Sequence, residues 1–243
     1  MKYYLKDSFL HNAHEKNAGS KARNDVETIL ISEGYEGLEL KVENWYKMNF
    51  FKAQQHKYRA TKSVFDQLEA GDELVIQFPI IHHTFFISQL IKQAQKRGVK
   101  FYLLIHDIET LRHAAGSEVK FRHKVRNYFQ EKKALMSVDG IIVHNEIMKK
   151  VLVGQGVPAD KMVSLEIFDY LIPNFAEKPN LQKDQPIIVA GNLNPAKSGY
   201  LYNLPDQPAY NLYGVSYDES RALKNTTYFG SFMPDDLPAA LEG

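Results

Sequence analysis

Three short runs, Leu74–Phe78 with Gln77 as its one polar residue, the mostly apolar Phe101–Ile105, and Ile141–Val143, each stop abruptly, at Pro79, His106 and His144, and a helix-length segment separates each from the next. No other feature constrains the fold as strongly. A strand that is apolar along its whole length must be covered on both faces, as in the interior of a parallel sheet. Parallel neighbours also require long crossover connections, which helices supply.

The rest of the first two thirds follows the same rhythm. Residues 2–5 read as a strand, followed by a loop to Gly19. A helix starts at Ser20, with Val26, Ile29 and Leu30 on one face and Gly34 as its C-cap. A strand is predicted at 37–42, a helix at 50–69 stopped by Gly71, a strand at 73–78, a helix at 85–97 closed by Gly98, and a strand at 99–105. Then come a helix at 117–137, a strand at 139–143, a helix at 146–155 ended by Gly156 and Pro158, and a strand at 162–167. Strands alternating with helices give right-handed crossovers and a mostly parallel sheet, so the class is α/β and the domain Rossmann-like.

A proline-punctuated segment from Leu171 to Pro186 reads as a linker. The pattern then restarts, with strands at 187–190, 209–213 and 225–229 and a short helix at 217–223. The organisation expected is a first domain over 1–172, a linker over 173–186, and the start of a second Rossmann-like domain over 187–243 that is cut short.

Composition narrows the function. Hydrophobic residues make up 44% of the chain and charged residues 24%, as in ordinary globular proteins. No apolar run reaches the length of a membrane span, and the N-terminus lacks the apolar core of a signal peptide. The absence of cysteine excludes disulfides and thiolate chemistry and fits a cytoplasmic protein. A net charge of +1 argues against nucleic acid as partner.

Ligands of open α/β sheets bind beyond the carboxyl ends of the strands. That places His106 and Asp107 first, with Glu109 and Arg112 close behind. An imidazole titrating near neutrality can accept a proton from a hydroxyl, and an adjacent carboxylate can orient it or act in its stead. The segment Asn17–Asp25, which includes Gly19 and Ser20, opens the first helix, where free backbone N–H groups favour an anion. It lacks the three glycines of a dinucleotide fingerprint and is not a P-loop, which disfavours a nucleotide-dependent oxidoreductase. After the 187–190 strand, Gly191, Asn192 and Lys197 hold the equivalent position, with glycine allowing close backbone approach and lysine offering a point charge for phosphate. His82 and His83 also lie past a strand end, whereas His11 and His14 have no carboxylate at metal-ligand spacing. No Asp-x-Asp pair follows a strand, so no metal is expected to bridge a diphosphate. The basic segment 118–133, with Phe121, Val125, Tyr128 and Phe129, reads either as a solvated amphipathic helix or as one lying on an anionic membrane surface.

Taken together, Asn17–Val26, Leu104–Arg112, Asp139–Asn145 and Gly191–Ser198 resemble a bacterial glycosyltransferase family. Its members include the galactofuranosyltransferases of exopolysaccharide clusters and the glucosyltransferase 3 of streptococcal adhesin glycosylation. The resemblance implies a two-domain GT-B fold, with the acceptor held mainly by the first domain and the nucleotide sugar mainly by the second. It implies a metal-independent hexosyltransferase that needs no cofactor and uses a UDP-sugar as substrate. The acceptor would be a glycan or lipid-linked glycan, and the protein a cytoplasmic homo-oligomer with peripheral contact at the inner face of the membrane. By position, Lys197 matches a basic residue that contacts the donor nucleotide, and Asn17–Ser20 matches a mobile loop over the cleft. Family members continue past the point where this chain ends. The alternative expectation is a non-catalytic, glycosyltransferase-like subunit that binds a partner or a glycan.

Overall fold

The computed structural model describes residues 1–7, 21–80, 84–108, 131–166, 171 and 185–232. They fall into two compact units, one of Met1–His11 with Val26–Asp169, the other of Asn12–Asp25 with Tyr170–Gly243.

The first unit is built on six parallel strands: β1 (Lys2–Asp7), β2 (Glu36–Leu40), β3 (Glu73–Phe78), β4 (Lys100–Ile105), β5 (Gly140–Val143) and β6 (Met162–Ser164). Their order in the sheet is β2-β1-β3-β4-β5-β6, so the chain reverses direction across the sheet after β2. The helices among the described residues are α1 (Lys21–Ser32), α2 (Phe50–Phe65), α3 (Ile87–Gln95), α4 (Lys133–Ser137) and α5 (Glu146–Gly154). The central strands are buried on both faces: Leu74, Ile76, Phe78, Phe101, Leu103, Ile105, Ile141 and Val143, alternate residues on one face, lie in one core, and Val75, Gln77 and Leu104 are buried on the other. α3 buries Ile87, Leu90, Ile91 and Ala94, the i, i+3, i+4, i+7 stripe of an amphipathic helix. From α2, Phe65 reaches the same core and packs against Phe101 with ring centroids 5.0 Å apart.

Asparagine side chains start two of these helices. Asn49 accepts from the Lys52 amide at 3.0 Å and Asn145 from the Met148 amide at 2.9 Å, each satisfying a backbone donor with no partner inside the helix. Asn49→Ala and Asn145→Ala are each expected to lower stability by about 1 kcal/mol, measured by urea unfolding.

Several boundaries differ from expectation. α2 ends at Phe65 rather than 69, because the chain turns at Asp66 and sends Leu68 into the core. β6 ends at Ser164, before Glu166 adopts a left-handed φ of 65°. The inner face of α1 is also different. Val26 is buried, but Ile29 is exposed, and Arg23, Asp25 and Glu27 are buried instead. Ionic partners offset that burial: Asp25 accepts from Lys21 Nζ at 3.0 Å and from the Leu171 amide at 3.0 Å. α1 does close at Gly34, whose φ of 80° a β-carbon would resist. Of the helix expected over 117–137, only its last part lies within the described residues.

The second unit carries a parallel sheet in the order β7 (Ile187–Asn192), β8 (Tyr210–Val215) and β9 (Thr226–Tyr228) around Leu193, Leu201, Tyr202, Tyr210 and Leu212. The short helix expected over 217–223 is a single 3-10 turn at Glu219–Arg221. β7 runs two residues past its expected end, because Gly191 and Asn192 pair with Gly214 and Val215. A β-carbon on Gly214, at φ 152°, would lie 1.7 Å from the Gly191 carbonyl oxygen. The two strands approach this closely only because the residue is glycine.

Candidate active site

In the first unit, β3, β4 and β5 end side by side. Phe78 pairs with Ile105, and Leu104 with Ile142, so the register carries His106 and His144 to adjacent positions just past the sheet. The His106 amide continues the ladder, donating to the Phe78 carbonyl at 2.8 Å.

The His106 ring is held from below. Gln77 is buried inside β3, where a carboxamide must find a partner, and its Oε1 lies 2.6 Å from His106 Nε2. An oxygen facing Nε2 favours the tautomer with the proton there, which leaves the lone pair of the neutral imidazole on Nδ1. His144 Nε2 in turn donates to the His106 carbonyl at 3.2 Å, and the two rings stand 6.4 Å apart at 64°. Asp107 Oδ1 accepts from the Ile108 amide at 2.8 Å, which ties the carboxylate to the turn while Ile108 is buried in the core. His106, Asp107 and His144 are all half-buried. The result is an imidazole anchored through Nε2 beside a carboxylate at the carboxyl edge of a parallel sheet. Such a pair can take a proton from a hydroxyl.

In the second unit, the turn after β7 is stapled by its own polar groups. Asn192 Oδ1 accepts from the Asn194 amide at 3.1 Å, and Asn194 Oδ1 from the Ala196 amide at 2.9 Å. Ser198 Oγ donates to the Asn192 carbonyl at 2.6 Å, and the Lys197 and Ser198 amides both donate to the Asn194 carbonyl at 2.8 Å. Leu193 anchors the turn in the small core, and Lys197 is exposed. Gly191 and Asn192 end β7, and Lys197 lies in the turn that follows them.

The expected site residues thus form two groups, His106 with Asp107 in one unit and Gly191, Asn192 and Lys197 in the other. Asn17, Gly19, Ser20, Glu109 and Arg112 lie outside the described residues, as do His11, His14, His82, His83 and most of the basic 118–133 segment. Sequence reading passed over Gln77 and undervalued His144. The signal for His144 was its place at the end of an apolar run, as for His106. Among the described residues, no three histidine or acidic side chains converge as a metal site would require, and no helix is long and apolar enough to cross a membrane.

Both units are parallel-stranded α/β, and solved glycosyltransferases of the GT-B type share the fold. The lipopolysaccharide outer core galactosyltransferase WaaB, in its apo form, matches with a TM-score of 0.56 at 11% identity, over 100% of this chain and 71% of that one. HepE from Anabaena matches in its complex with UDP and glucose (TM-score 0.52, 11% identity) and in its complex with UDP (0.53, 12%), each over 99% of this chain and 71% of that one. No curated protein matches the chain. Residues 2–167 match the family described as glucosyltransferase 3-like, N-terminal domain, and the chain belongs to that family.

Proposed function

We propose that this glycosyltransferase moves a hexose, glucose or galactofuranose, from a UDP-sugar to a glycan or lipid-linked glycan acceptor. The anchoring of His106 by Gln77, at the strand edge where α/β ligands bind, is the observation that carries the reading. The UDP of one HepE structure and the UDP and glucose of the other support the choice of donor.

In an inverting reaction, the acceptor oxygen attacks the anomeric carbon and its proton passes to His106 Nδ1 or to Asp107. The bond from that carbon to the diphosphate breaks, and the electron pair leaves with UDP. Lys197 meets the charge that develops on the leaving oxygens. No metal or cofactor enters this scheme, in keeping with the lack of an Asp-x-Asp pair after any strand. Catalysis takes place in the cytoplasm, and the basic, aromatic segment 118–133 supports contact with the inner face of the membrane.

Lys197→Ala tests the donor half. A single phosphate contact of this kind is worth about 1.5–3 kcal/mol, so the donor KM is expected to rise by roughly tenfold or more, while UDP release by a panel of UDP-sugars keeps its ranking. An unchanged donor KM removes Lys197 from the site.

A further inference from the structure

α2 and α3 each follow a parallel strand and run back along the sheet, so both begin at the carboxyl edge that carries His106. The start of α2 and the residue that caps α3 are aromatic, and the rings face water: Phe51 is 83% exposed, Phe50 57% and Phe86 47%. These rings are ordered among themselves. Phe50 packs 5.6 Å from Phe51 and 5.6 Å from Phe85, and Tyr58 meets Phe86 edge-on at 6.0 Å. Between the helices lies an open cavity of about 620 Å³, lined by Phe51, Tyr58 and Phe86 and by the amides of Gln54, Gln55 and Gln89. That volume is within the range of small-molecule sites. Gln54 Oε1 accepts from the Phe85 amide at 3.0 Å, which fixes one of the three amides.

We propose that this cavity is a saccharide-binding shelf, holding the glycan chain of the acceptor away from the hydroxyl that reacts. The proposal rests on the transferase reading above. A sugar ring is amphipathic, with a C–H face that packs on aromatic rings and a rim of hydroxyls that both donate and accept. Carboxamides also do both, and tyrosine and phenylalanine supply rigid apolar surface. Among the described residues the lining contains no aliphatic side chain, as a groove for an acyl chain or an amphipathic helix would, and Lys52 is its one cation.

The test uses calorimetry with cellotetraose and chitotetraose, alongside UDP release with a UDP-sugar and a glycan acceptor. Because Phe51 and Phe86 are largely exposed, Phe51→Ala/Phe86→Ala is expected to fold as the wild type does, with circular dichroism as the check. The double variant is expected to bind at least one tetrasaccharide about tenfold more weakly and to raise the acceptor KM, leaving the donor KM unchanged. Phe51→Trp, which keeps a ring, is expected to retain binding. The shelf is overturned if the wild type binds neither tetrasaccharide, or if the double variant binds both as tightly as the wild type. It is equally overturned if the substitutions abolish only adsorption to phosphatidylglycerol vesicles, or only self-association in sedimentation. Failure of the transferase reading shows separately, as absence of UDP release by the wild type. Failure of the shelf alone shows as unaltered saccharide binding with UDP release intact.

Discussion

His106→Ala is expected to lower kcat for sugar transfer by about 10²–10⁴-fold, with the donor KM nearly unchanged. The ring stands at the end of β4 with its Nε2 anchored by Gln77, so removing it deletes the proton acceptor without touching the core beneath. Asp107→Asn in the same assay identifies which group takes the proton. If the imidazole does, the carboxylate acts by orienting the turn and its loss costs less than that of His106. If the carboxylate does, the order reverses. Gln77→Leu removes the contact that fixes the imidazole and adds no charge. As a positioning change it is expected to shift the pH profile of kcat and cost less than His106→Ala. Steady-state kinetics across pH 5–9 separate these cases.

Gly214→Ala is expected to cost about 3 kcal/mol or more, a large effect for one methyl group. Gly214 holds a φ of 152°, and its new β-carbon would fall 1.7 Å from the Gly191 carbonyl oxygen, so the strands must separate. The damage reaches function because Gly191 and Asn192 lead directly into the stapled turn that carries Lys197. Lower urea midpoints together with a raised donor KM are the expected pair of results. Gly199→Ala is the control, since a β-carbon there would meet nothing within 4 Å.

Much of this fold was legible in the sequence because burial leaves a direct mark. The runs at Leu74–Phe78 and Phe101–Ile105 are apolar on both faces apart from Gln77 and Tyr102, so a doubly covered parallel strand was the reading they allowed. What escaped was set by contacts between distant segments. Gly191–Asn192 reads as a turn, and only the ladder to Gly214–Val215 makes it strand. Ile29 and Leu30 suggested an apolar face for α1, but the buried face there includes Asp25, neutralised by Lys21 four residues earlier and by the distant Leu171 amide. His106 stood out by its place after β4. The roles of Gln77 and His144 depend on the alignment of β3, β4 and β5, which local patterns do not encode.

The central claim is that this protein transfers a hexose from a UDP-sugar with His106–Asp107 at the reacting hydroxyl. The most direct measurement is UDP release coupled to product mass, with UDP-glucose and UDP-galactofuranose as donors, for the wild type and for His106→Ala and Asp107→Asn. The expected result is a product one hexose heavier than the acceptor, with stoichiometric UDP, and a loss of turnover of at least about a hundredfold in one of the two variants. No UDP release from either donor by the wild type would contradict the account and favour a non-catalytic subunit, and wild-type rates in both variants would remove this pair from the mechanism.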